Sequence, residues 1–151
     1  MNVTNVVVSL RELTAESAMK IVKLQVAPEQ EKFVASNVIS IAQAYFEPKH
    51  WMRGIFADEE PVGFLLLYDD PEEPNYFLWR LMVDQQYQRR GYGRFAVNLL
   101  IDYVKTRPNA TELFVSCVPG EGSPQPFYES LGFVDTGELI GTENVLRLSL
   151  V

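Results

Sequence analysis

The segment Gln88-Arg89-Arg90-Gly91-Tyr92-Gly93 follows an apolar run and precedes a helical pattern. Glycine lets backbone N–H groups turn inward without interference from a Cβ. The first N–H groups of the helix behind it have no intrahelical partner, and the helix dipole adds partial positive charge there. Together these features make an anion socket, whose usual occupant is a phosphate. Local charge agrees. Between Arg80 and Arg94 stand four arginines (Arg80, Arg89, Arg90, Arg94) and one acid, Asp84, a net +3 on a chain of formal net charge −7.

Three phosphate loops fit glycines of this kind. A P-loop requires Gly-Lys-Ser/Thr, but Gly93 is followed by Arg94-Phe95. The dinucleotide pattern G-x-G-x-x-G/A is matched by Gly91, Gly93 and Ala96. That motif follows its strand with almost no spacer and has an acid ending the next strand. Here Asp84 to Arg90 intervene, and Glu112 precedes the next strand. The third reading fits both halves of the chain. Gln88-x-x-Gly91-x-Gly93 resembles the acetyl-CoA pyrophosphate loop of the GNAT superfamily of N-acyltransferases. Pro126-Phe127-Tyr128-Glu129-Ser130-Leu131-Gly132-Phe133 is similar to that family's F-Y-x-x-L-G-F segment, in the expected order. The resemblance spans about Val6 to Leu150. The segments Phe33 to Ala44 and Leu78 to Asp84 further resemble bacterial spermine/spermidine N-acetyltransferases within that superfamily.

The resemblance implies acetyl transfer from acetyl-CoA to a primary amine by direct attack in a ternary complex. It implies that Met82, Val83, Gln88, Arg89, Arg90, Gly91, Tyr92, Gly93 and Arg94 hold the coenzyme, with a backbone N–H near Met82-Val83 on the developing oxyanion. Where the family often has Asn and Ala ahead of F-Y, this chain has Glu121 and Pro124, so Ser123 or a backbone group is expected to supply that contact. Tyr128 is expected to donate a proton or hydrogen bond to the departing thiolate. A thiol of pKa ~8.5 against a phenol of ~10 leaves no large downhill drive. The amine is harder. At pKa ~10.4 its neutral form lies ~3.4 units from pH 7, about 4.6 kcal/mol. The family's carboxylate base on the central strand has no counterpart, because Tyr76 to Val83 contains no acid. Proton removal through ordered water is therefore expected. Glu29, Glu31 and Glu47 stand where the family builds its acceptor wall and are the candidate amine-holding acids. Asp69, Asp70, Glu72 and Glu73 read as a solvated loop, His50 as structural, and Cys117 as a small buried hydrophobe. No G-x-S-x-G or H-E-x-x-H occurs, so serine-nucleophile and metal chemistry have no residues to build on.

These groups need a frame. Val6, Val8 and Leu10 alternate as a strand. Thr14 and Ser36 cap two early helices. The second carries Val38, Ile39, Ala42, Tyr45 and Phe46 as an apolar stripe, and Pro28 stops the first helix or starts a short further one through Glu31 and Phe33. Trp51 to Ala57 and Val62 to Tyr68 read as a hairpin around Asp58 to Pro61, and Tyr76 to Val83 as a central strand. A helix from Arg94 to about Thr106 keeps Arg94, Asn98, Asp102 and Lys105 on its one polar stripe and packs on a sheet. Leu113 to Val118 is a strand. Ser123-Pro124 caps a short helix that ends at Gly132, and Phe133-Val134 with Asn144 to Leu150 close the sheet. The order β-α-α-β-β-β-α-β-α-β-β predicts a mixed α/β fold: a mostly antiparallel twisted sheet of about seven strands flanked by helices, one domain over 1–151.

Composition sets the outer bounds. The 151 residues are 47% apolar and 22% charged, ordinary for a globular chain. About 150 residues bury roughly 68–70% of their unfolded surface without disulfide or metal. A single cysteine excludes an internal disulfide, and no metal is expected. The acidic balance argues against nucleic acid and anionic membranes and suits a small cationic amine. No targeting segment is visible, and a cytoplasmic setting is the default. Two alternatives stay open: another acceptor (an amino acid, an aminoglycoside or a protein N-terminus), or a non-catalytic acyl-CoA-binding module. A homodimer is compatible with either.

Overall fold

The computed structural model describes residues 5–151. The reading of the N-terminus as free of a targeting segment falls mainly on residues 1–4, outside those described. The elements are β1 (Val8–Arg11), α1 (Ala15–Ile21), a 3₁₀ turn (Pro28–Phe33), α2 (Asn37–Phe46), β2 (His50–Ala57), β3 (Glu60–Asp70), β4 (Asn75–Val83), a second 3₁₀ turn (Gln85–Tyr87), α3 (Tyr92–Lys105), β5 (Glu112–Cys117), α4 (Gln125–Ser130), β6 (Val134–Ile140) and β7 (Glu143–Ser149). The strands form one sheet in the order β1-β2-β3-β4-β5-β7-β6. Every pairing is antiparallel except β4 with β5. The expected class and element order both hold.

The caps explain the early helices. Thr14 Oγ1 accepts from the Ser17 amide at 3.1 Å, and Ser17 Oγ accepts from the Thr14 amide at 2.8 Å, a reciprocal capping box. Ser36 Oγ accepts from the Ile39 amide and starts α2. The face that α2 buries is not the expected stripe. Val38, Ile39, Tyr45 and Phe46 point outward, the last two 82% exposed. Asn37, Ser40, Ile41 and Ala44 face the sheet instead. The reason is polar: Asn37 Nδ2 donates to the Ile21 carbonyl at 2.9 Å and reaches Met82 Sδ at 3.5 Å, which turns the helix toward that side.

Two layers cover the sheet. On one face α3 packs Ala96, Val97, Leu100 and Val104 against Leu65, Leu67, Leu78 and Leu113. On the other, α1 and α2 enclose Ile21, Phe64, Leu66 and Met82. Each such large side chain contributes about 1.5–3 kcal/mol relative to exposure. Arg94, Asn98, Asp102 and Lys105 are exposed as expected, but Phe95 is exposed beside them. Helix α3 also begins two residues earlier than expected, at Tyr92.

The acidic segment after β3 is a second correction. β3 continues through Asp69 and Asp70, which pair with Tyr76 and Asn75. Both carboxylates are buried, Asp70 to 2% exposure. Asp69 accepts from the Tyr103 hydroxyl at 2.6 Å and Arg107 Nε at 3.0 Å. Asp70 accepts from Lys49 Nζ at 3.2 Å and from the amides of Glu72 and Glu73. Burial works to raise the Asp70 carboxyl, but these donors outweigh it and hold it below the usual carboxylate range. Only Pro71 to Pro74 form the turn.

Candidate active site

The site opens where the central strands part. β4 and β5 pair only at Phe77↔Phe114 and Leu78↔Val115. Just beyond, the β3–β4 register jumps from Leu67↔Leu78 to Leu66↔Arg80, so Trp79 is the extra residue of a β-bulge. A bulge bends its strand and increases its twist. β4 therefore leaves β5, and a cleft of about 840 Å³ opens between them. Antiparallel ladder bonds alternate along a strand. The Asp84 amide donates to the Val62 carbonyl at 2.8 Å, so the Met82 amide points to β3, while the amides of Leu81 and Val83 point into the cleft. Of the Met82-Val83 pair, Val83 therefore presents its N–H. Gly63 permits this close approach, since a Cβ there would strike the Met82 carbonyl oxygen.

The glycine loop forms one end of the cleft. Gly91 is the N-cap of α3 with φ +84°, and Arg89 also lies in the left-handed region at φ +65°. The first helical bond runs from the Phe95 amide to the Gly91 carbonyl at 3.0 Å. The amides of Tyr92, Gly93 and Arg94 are left as free donors at the positive end of a 14-residue helix. A Cβ on Gly93 would make only ordinary contacts with Phe127 and Val83. Arg94 Nη2 is anchored to Ser130 Oγ at 2.8 Å. Gln88 does not face the socket: its Nε2 donates to the Val83 carbonyl at 2.9 Å and to Gln30 Oε1 at 2.8 Å. Arg90 turns outward over the Tyr87 ring and does not line the cleft.

Tyr128 lies across from the parted strand. Helix α4 begins after Pro124 rather than Ser123, whose Oγ accepts from the Gln125 amide at 3.3 Å. It ends in a complete Schellman motif: Phe133 N–H to the Tyr128 carbonyl, Gly132 N–H to the Glu129 carbonyl, and Gly132 at φ +102°. That motif and edge-on contacts with Phe127 and Phe133 set the ring position. The Tyr128 hydroxyl has no hydrogen-bond partner among the described residues, and Tyr128 lines the cleft. Burial, aided by neighbouring Cys117, pushes its pKa above the ordinary tyrosine value, so it stays a neutral donor. Burial likewise pushes the Cys117 thiol up to about 12.

The structure brings together Met82, Val83, Gln88, Arg89, Gly91, Tyr92, Gly93, Arg94, Ser123 and Tyr128. Glu29, Glu31 and Glu47 do not line the cleft. In a 3₁₀ turn residues three apart share an edge. Gln30 and Phe33 take the inner edge, which leaves Glu29 and Glu31 exposed. Glu47 accepts from the Lys49 amide at 3.1 Å. His50 lies against Trp79 with both ring nitrogens buried and without a partner among the described residues, and burial lowers its pKa below the ordinary 6.5. Sequence reasoning missed Gln30, Lys32, Arg80 and Glu143 as cleft residues. Only Arg80 carried a signal, as the single charge on an apolar central strand.

The match to known proteins covers most of the chain. The model of the acetyltransferase (GNAT) family matches residues 13–133. The spermine/spermidine N(1)-acetyltransferase of Bacillus subtilis is 22% identical over 142 residues, covering 87% of this chain and 91% of that protein. An acetyltransferase from Thermus thermophilus superposes with a TM-score of 0.75 at 19% identity, covering 99% of both chains. The PaiA N-acetyltransferase from Thermoplasma acidophilum, solved in complex with coenzyme A, gives 0.70 at 16% identity, covering 95% of this chain and 99% of that one.

Proposed function

The chain belongs to the GNAT acetyltransferase family and is an acetyl-CoA-dependent N-acetyltransferase, and from that premise we propose that its acceptor is a small cationic amine, with spermidine and spermine the first to test. One observation carries the reading: a helix N-terminus with free amides and the unpartnered Tyr128 hydroxyl line the same cleft between β4 and β5. The polyamine assignment is supported by the Bacillus relative and by the net charge of −7.

The donor fits the cleft chemically. Lys32, Arg89 and Arg94 supply cations for phosphates, and the Tyr92 to Arg94 amides supply N–H donors. When bound, acetyl-CoA presents a thioester carbonyl to nucleophilic attack. In this reading the Val83 N–H donates to the oxygen that becomes negative as the amine attacks. Tyr128 donates to the sulfur as the C–S bond breaks and the C–N bond forms. The ammonium gives one proton to water before the nitrogen attacks, and the proton lost as the amide forms returns through water to Tyr128, whose own proton stays on the thiol. The PaiA complex with coenzyme A lends this placement fold-level support.

Thiol release from acetyl-CoA, measured with spermidine, spermine, kanamycin and an alanyl peptide, tests the reading. The expected result is fastest release with the polyamines. Release with kanamycin or the peptide alone overturns the polyamine assignment, and none with any amine overturns acetyl transfer to this class.

A further inference from the structure

The charges lining the cleft are unevenly divided. Among the described residues four cations face it (Lys32, Arg80, Arg89 and Arg94) but only one carboxylate, Glu143. Glu143 opens β7, beside the Asn144↔Cys117 pair on β5. Its Oε1 accepts from Ser116 Oγ at 3.0 Å, so a neighbouring strand that itself lines the cleft orients the carboxylate. A carboxylate offers about four lone-pair sites, and Ser116 uses one. Glu143 makes no ion pair among the described residues. Its field is felt at Arg80 on β4 and at Cys117 on β5, on either side of the parting strands. Cys117 in turn adjoins Tyr128.

We propose that Glu143, oriented by Ser116, is the carboxylate that receives the acceptor's amino group in the cleft. The proposal rests on the acetyl-transfer reading and adds a residue to it. β4 has no acid of its own, so among the described residues a cationic acceptor entering between the strands finds one opposite charge, on β7. A charge-assisted bond from an ammonium to this carboxylate docks the group at the strand gap, and the nitrogen that attacks must first give its proton to water. Arg80 restricts the same region. Its Nη1 donates to the Trp79 carbonyl at 2.9 Å, and its Nε is buried without a partner among the described residues. A second ammonium beside it meets repulsion, so the acceptor enters end-on with one cationic group inward.

Steady-state kinetics test this, using whichever of spermidine, spermine, kanamycin or the alanyl peptide gives the fastest thiol release with the unaltered protein. Glu143→Gln is expected to raise the acceptor KM at least tenfold and leave the acetyl-CoA KM within twofold. Glu143→Asp keeps the charge and recovers part of the loss, and Ser116→Ala raises the acceptor KM two- to threefold. An acceptor KM within twofold of the unaltered protein in Glu143→Gln overturns the proposal. Should that variant fail to bind acetyl-CoA, Glu143→Asp decides. A raised acceptor KM with unchanged acetyl-CoA KM supports the proposal, and an unchanged acceptor KM overturns it. If the unaltered protein releases thiol with none of the amines, the acetyl-transfer reading falls and this role with it.

Discussion

Gln88 Nε2 lies 2.9 Å from the carbonyl oxygen of Val83, so the glycine loop is tied directly to the end of the strand whose amide enters the cleft. The same nitrogen donates to Gln30 Oε1, which also accepts from the Ala27 amide at 3.0 Å. One side chain thus connects the glycine loop, the central strand and the 3₁₀ turn at Pro28–Phe33. The chemistry of a glutamine amide, one acceptor and two donors, suits this bridging better than phosphate contact.

Replacing Gln88 by Ala removes both bonds, each worth about 1 kcal/mol net. The acetyl-CoA KM is expected to rise about three- to tenfold as the loop loosens. Initial-rate measurements at varied acetyl-CoA check this, and an unchanged KM shows that the loop holds without the bridge.

Tyr128→Phe removes the hydroxyl and leaves the packed ring. General acid catalysis contributes 10²–10⁴-fold, and the raised Tyr128 pKa points to the lower end, about 10²-fold in kcat. The acetyl-CoA KM is expected to stay within twofold. Equal turnover in the two proteins clears Tyr128 of the donor role.

The segment Asp69 to Glu73 marks the limit of what the sequence discloses. Alternation, the Thr14 and Ser36 caps and Gly91 made the strand and helix order legible, because those signals are local. Asp69 and Asp70 read as a solvated loop because their partners lie far along the chain: Tyr103, Arg107 and Lys49. Glu143 was hidden for the same reason, facing a cleft built mostly from residues 26–128. The outer stripe of α2 misled the reading because one polar anchor, Asn37, decides which face turns inward. In the site, the glycine loop and Tyr128 were legible as a motif, whereas the outward turn of Arg90 and the bridging of Gln88 depend on tertiary contacts.

Asp69→Ala should accordingly cost about 2–3 kcal/mol, since it strips a half-buried hydroxyl and a guanidinium of a charged acceptor. Urea unfolding followed by tryptophan fluorescence measures it, helped by Trp51, which stacks on Tyr103 at 4.1 Å. A loss under about 0.5 kcal/mol, the scale of an ordinary surface substitution, contradicts the pairing.

Alkaline stability carries a sign set by thiol and phenol groups held neutral in the fold, Tyr128 and Tyr76 among them, with Cys117 and Tyr103 setting its onset. The Cys117 thiol is raised from 9.0 to about 12, first by burial. Tyr103 is raised from 10.0 to about 12 by burial and by its bond to Asp69. Both folded values exceed the unfolded ones, so their stabilisation is complete below about pH 9 and is lost as pH climbs toward 12. The melting temperature is expected to fall from about pH 9, and in Cys117→Ala to begin falling about one pH unit later, with Tyr103. Parallel curves for the two proteins contradict this assignment.

A crystal structure of the protein with coenzyme A bound tests the central claim most directly. The diphosphate oxygens are expected about 3 Å from the amide nitrogens of Tyr92, Gly93 and Arg94. Diphosphate density lying away from the N-terminus of α3 would contradict the account.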